Sequence, residues 1–206
     1  MVVNKKNIYK LSIVFIIIII IMYAIWTVYK AKFEIERERD DTFILKEDDL
    51  LDDIDKKYID SLHINGIPPI SRVGRTGLYI GSLESIYFIK KEGITHVINL
   101  STVSYKKYED VEYLDIFIYD NPEEDISKYF NISNSFIDDA INSGGKVLIH
   151  CHAGVSRSST ILIAYLMYSK NLTMEDALMY VRYNRPIVNP NKGFTKQLKN
   201  YENTKI

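Results

Sequence analysis

The chain has 206 residues, enough for one domain of ordinary size plus attachments, and its formal net charge of -1 argues against nucleic acid as the main partner. A single cysteine excludes any disulfide within the chain and leaves that thiol without a resolving partner.

Residues 1–10 read as a short tail. From Leu11 to Val28 the chain is apolar and uncharged, with six successive isoleucines from Ile16 to Ile21. As a helix this run reaches about 27 Å, close to the thickness of a hydrocarbon core. Tyr23, Trp26 and Tyr29 collect toward one end and lysines flank both sides, as at a membrane interface. No small-x-small cleavage site follows, so residues 11–29 are expected to form a retained transmembrane anchor of a single-pass membrane protein, with the membrane as a partner. Residues 30–65 are expected to form an acidic juxtamembrane spacer. Between Glu34 and Asp60 it carries twelve acidic residues against five basic ones, with Ile44, Leu50, Leu51, Ile54, Tyr58 and Leu62 near helical spacing. Gly66, Pro68 and Pro69 mark the start of a domain over 66–206.

Within that domain hydrophobic periodicity predicts a strand near Leu78, a helix from Leu83 to Lys91, a strand from Thr95 to Leu100 and a strand from Glu112 to Ile118. A helix from Asp125 to Ser143 and a strand from Lys146 to Ile149 follow, then mostly helix. Alternating strands and helices imply an α/β sandwich with a central mixed, mainly parallel sheet flanked by helices.

The richest segment is His150-Cys151-His152-Ala153-Gly154-Val155-Ser156-Arg157-Ser158, between the last strand and a helix that begins near Arg157. A strand-loop-helix unit aims backbone N–H groups and the positive helix end at one point, where an anion can sit. Gly154 lets the loop curl, and Ala153 and Ser156 are small enough for the backbone to approach the anion. Arg157 adds a planar fork able to hold two phosphate oxygens. A thiol at a helix N-terminus beside a cation is favoured as thiolate, which makes Cys151 a nucleophile toward phosphorus with a phosphocysteine intermediate. This chemistry requires no metal and no cofactor. His150 and His152 flank Cys151, but adjacent strand residues point to opposite faces, so the three do not converge on one ion.

This segment resembles the HCxAGxSRS signature of the dual-specificity protein phosphatases, a branch of the cysteine-dependent phosphatases. Leu78-Tyr79-Ile80-Gly81-Ser82 and Gly93 to Ser101 are similar to the family's first core strand and the strand after its first helix. Val181-Arg182, Arg185-Pro186, Pro190-Asn191-Lys192-Gly193-Phe194, Gln197-Leu198 and Tyr201-Glu202 resemble its C-terminal block. The likeness implies a cysteine-phosphatase-like fold and a set of roles. The loop His152 to Arg157 binds the substrate phosphate. Asp120, at the end of an alternating apolar run and just before Pro122, is the general acid, with Glu123, Glu124 and Asp125 as nearby competitors. Ser158 assists departure of the thiolate, or caps the helix. His150 orders the loop and Asn191 braces it.

The variable loop positions carry no lysine or extra arginine, which favours a phosphoprotein substrate over a highly charged lipid. The short catalytic segment implies a shallow pocket open to phosphoserine and phosphothreonine as well as phosphotyrosine. A reactive thiolate and such substrates place the catalytic domain in the reducing cytosol. The alternatives are a phosphoinositide or lipid phosphatase of the same mechanism and a phosphate-binding module without turnover.

Overall fold

The computed structural model describes residues 66–204, together with Thr27. All of its regular elements within 66–204 belong to the unit spanning Ile44–Ile206. Five strands, β1 (Ile70–Val73), β2 (Leu78–Gly81), β3 (His96–Asn99), β4 (Glu112–Asp115) and β5 (Val147–His150), form one sheet in the order β1-β2-β5-β3-β4. β1 runs antiparallel to β2 and every other pairing is parallel, so the sheet is mixed and mainly parallel as expected. Only β1 was not legible in the sequence: its Ser-Arg interruption, ISRV, conceals a strand whose partner is the neighbouring β2.

The two-residue period of the strands sorts the core into two layers. Ile80, Ile98 and Ile149 face one side, where they meet α2 (Phe130–Asn142), α3 (Arg157–Lys170), α4 (Met174–Asn184) and α5 (Lys192–Thr204). Tyr79, Val97 and Leu148 face the other, against Leu83, Ile86 and Ile89 of a 3-10 turn (Leu83–Phe88) that runs into the single-turn helix α1 (Ile89–Glu92). All four residues of β5 are buried, as befits a central strand covered on both faces. The helix expected over Leu83 to Lys91 is therefore mostly 3-10, and it stops at Gly93, whose φ of 65° closes the helix in the left-handed region. Likewise β4 ends at Asp115 although Ile116 and Ile118 continue its buried alternation. Beyond Asp115 the backbone leaves β3, since the Ile116 N–H to Asn99 carbonyl bond is the last between them.

The membrane-spanning helix expected over 11–29 is corrected here, and with it the membrane partner and the single-pass localisation. Among the described residues no helix is long and apolar enough to cross a membrane. The most buried helix, α3, has 14 residues. At roughly 1.5 Å per residue that falls well short of a hydrocarbon core of about 30 Å, and its apolar side chains are used in the protein core. The 11–29 run itself, except for Thr27, lies outside the described residues, as do the tail 1–10 and the spacer 30–65.

Candidate active site

β5 delivers Cys151 to the C-terminal edge of the sheet, and α3 begins six residues later at Arg157, as the sequence implied. Cys151 is a free, buried thiol, and its Sγ lies 3.3 Å from Ser158 Oγ. Ser158 is the second residue of α3 and not its cap. The cap position belongs to Ser156, whose side chain makes no capping bond. Ser156 Oγ instead donates to Asp120 Oδ1 at 2.7 Å and accepts the Asn191 N–H at 3.1 Å.

Asp120 sits on the exposed loop after β4, opposite the phosphate loop. Its Oδ1 also accepts Asn191 Nδ2 at 2.8 Å. Two donors on one oxygen fix the carboxyl and leave Oδ2 as the atom able to carry a proton. Asn191 does double duty, because its Oδ1 accepts the Phe194 N–H at 2.9 Å and so caps α5. The competitors Glu123, Glu124 and Asp125 are placed otherwise. Asp125 turns to its neighbour Ser127, and that contact holds its carboxyl below the usual range. The Glu123 and Glu124 N–H groups bond Asn121, as in a turn.

Arg157 is buried, and its Nη1 donates to the carbonyls of Leu100 at 3.2 Å and Ile118 at 3.1 Å. The guanidinium plane is thereby fixed between the end of β3 and the acid-bearing loop. His150 is wholly buried with its Nε2 2.7 Å from the Tyr105 hydroxyl. Burial is the main reason its pKa is pushed down to about 4, and the nearby Arg157 charge adds to it. The ring is neutral at physiological pH, which suits a structural brace. Its partner Tyr105 has its pKa raised, chiefly by burial. His152 is half-buried, and its carbonyl accepts the Leu83 N–H at 2.9 Å.

Gly154 has φ of 65°, and a Cβ there would lie 2.6 Å from the Gly81 carbonyl group. Both the left-handed backbone and the close approach of β2 require glycine. Three residues carry more of the site than sequence reasoning assigned them. Arg185, at the end of α4, is fully buried and bonds the carbonyls of Gly154 at 2.9 Å, Ala153 at 3.4 Å and Pro68 at 2.8 Å. Gly193, at the start of α5, lies so close to the acid-bearing loop that a Cβ would stand 1.8 Å from the Pro122 carbonyl oxygen. Gln197 Oε1 accepts the N–H groups of Ile126 and Ser127, while its Nε2 donates to the Glu124 carbonyl. All three lie in the C-terminal block quoted above. Their unusual burial or contacts are tertiary facts, and the sequence marked them only as members of that block.

The arrangement brings together a loop at a helix N-terminus, a buried cysteine thiol, a fixed arginine and a carboxyl group facing them. Such a set resembles the site of a cysteine-dependent phosphatase. The profile of the dual specificity phosphatase catalytic domain matches residues 78–204, and the chain belongs to that family. A probable dual specificity protein phosphatase of Dictyostelium discoideum is 46% identical over 129 residues, which cover 61% of this chain and 32% of that protein. Dual specificity protein phosphatase 1B of Arabidopsis thaliana is 42% identical over 130 residues, covering 61% of this chain and 78% of the relative. The chain thus spans about a third of the first of these proteins and over three quarters of the second. Among solved structures, human tyrosine phosphatase-like serine/threonine/tyrosine-interacting protein superposes with a TM-score of 0.61 at 35% identity, over 66% of this chain and 97% of that one.

Proposed function

We propose that residues 66–206 form the catalytic domain of a protein phosphatase that hydrolyses phosphotyrosine and phosphoserine or phosphothreonine through a phosphocysteine intermediate. The observation that carries this reading is the Asp120–Ser156–Asn191 cluster, because it ties the acid to the loop that holds the nucleophile. In the first step the Cys151 thiolate attacks phosphorus, the P–O bond to the leaving group breaks, and Asp120 supplies the proton that the leaving oxygen needs. Arg157 and the loop N–H groups take the charge that develops on the non-bridging oxygens. In the second step water attacks phosphorus, its proton passes to the Asp120 carboxylate, and the S–P bond breaks. A hydrogen bond from Ser158 Oγ, 3.3 Å from Sγ, stabilises the departing thiolate.

The nonbasic loop side chains and the exposed Asp120 rim support a phosphoprotein over a polyanionic lipid headgroup. The test is phosphate release by the full chain on phosphotyrosine and phosphothreonine peptides and on phosphoinositide vesicles, with Cys151→Ser alongside. Turnover of both peptides that the Ser variant lacks is the expected result. Turnover of vesicles alone would replace the protein substrate with a lipid. Silence from a folded chain that still binds tungstate would point to a phosphate-reading module.

A further inference from the structure

The loop between Cys151 and Arg157 turns its carbonyls outward, and each has a donor. The His152 carbonyl takes the Leu83 N–H, that of Val155 the Asn189 N–H, and that of Ser156 the Thr160 N–H, each at 2.9 Å. The remaining two, Ala153 and Gly154, are held by a side chain alone, from Nη2 and Nε of Arg185. The N–H groups of Ala153, Gly154, Val155 and Ser156 find no acceptor among the described residues. A peptide plane points its C=O and the following N–H in opposite directions. Holding the carbonyls of Ala153 and Gly154 outside therefore turns the N–H groups of Gly154 and Val155 inward.

Arg185 is also anchored from behind, since Nη1 donates to the Pro68 carbonyl at 2.8 Å and to Ser71 Oγ at 3.2 Å. Among the described residues it is the largest fully buried side chain, and none of their carboxylates stands within ion-pair distance of it. Burial pushes its pKa down, and the groups that oppose that shift are Cys151 first and then Glu84.

We propose that Arg185 is a positioning residue for oxyanion binding: its fork sets the inward aim of the Gly154 and Val155 N–H groups and places a second buried cation behind the bound anion. The proposal rests on the phosphatase reading above. Only a planar fork can serve four acceptors on two segments at once, so lysine keeps the charge and loses most of the aim.

The experiment is calorimetric titration of tungstate into the full chain in a Cys151→Ser background, which separates binding from turnover. Arg185→Met should weaken tungstate binding by about tenfold or more, the worth of one charge-assisted hydrogen bond to the loop, and Arg185→Lys should fall between. Ile137→Val, a core change in α2, should lower thermal stability and leave tungstate affinity unchanged. A folded Arg185→Met chain that binds tungstate within about twofold of its parent would overturn the proposal. Should that variant not fold, Arg185→Lys decides by the same criterion. A folded parent that takes up no tungstate would instead overturn the phosphatase reading, which makes the two failures distinguishable.

Discussion

Acidification offers a direct test of the buried histidine behind the nucleophile. His150 is wholly buried, and its pKa is pushed from 6.5 to about 4 by burial first and by the Arg157 charge second. In the unfolded chain the ring takes a proton near 6.5, whereas in the folded chain it does so only near 4. Between these values the unfolded state binds the extra proton, so stability is complete above 6.5, declines as the pH falls, and stops declining on this account below about 4. At about 1.4 kcal/mol per pH unit, the loss across that window is roughly 3 kcal/mol, a large share of a domain's usual stability. The assay is urea unfolding of the full chain at half-unit intervals from pH 7 to pH 4, for the parent and for His150→Gln. Carboxylates whose pKa values are lowered, Asp110 and Asp125, start from 3.8 and so act below this window. The variant should be less stable at pH 7, because it loses the Tyr105 contact. Its stability should then change little down to pH 5, where the parent has already begun to lose its own. Parallel curves for the two chains would refute the assignment of the titration to His150.

The catalytic assignments can be tested one by one. Asp120→Asn should cost on the order of 10²- to 10⁴-fold in kcat with an alkyl or phenyl phosphate and far less with an activated aryl phosphate, and an equal loss on both would make Asp120 a structural residue. Asn191→Ala should slow the same substrates by about tenfold and add little to Asp120→Asn, since Asn191 acts through that carboxyl. A double variant whose losses multiply would detach the two. Gly193→Ala sets a Cβ against the Pro122 carbonyl with 1.8 Å between them. The acid-bearing loop must then move, with a cost of about 1–3 kcal/mol in unfolding free energy and a fall in kcat that grows with leaving-group basicity. A variant of unchanged stability and rate would mean that the loop does not rest on α5.

The nine residues from His150 to Ser158 carry their chemistry locally. A strand, a tight loop and a helix start occupy consecutive positions, so the nucleophile, the loop N–H groups and the arginine are placed by short-range geometry that sequence displays. The apolar strand segments are equally local, and their alternation with helical segments foretold a mixed, mainly parallel sheet covered by helices on both faces. Asp120 was legible only as a place, the close of the run that begins at Tyr113, two residues before Pro122 forces a loop, and resemblance implied its role.

Tertiary structure decided what depends on residues far apart in the chain. β1 became visible only beside β2, and beyond Asp115 the chain kept a strand's alternation although only the Ile116 N–H still bonded β3, at Asn99 where that strand ends. That Ser156 reaches for Asp120 instead of capping α3, and that Arg185 lies buried 31 residues from the carbonyl of Gly154, could not be read from composition or period. An arginine followed by a proline looks like an exposed helix end. Whether its guanidinium meets water or the carbonyls of a phosphate loop is settled by which segments pack over it, and local propensity carries no information about that.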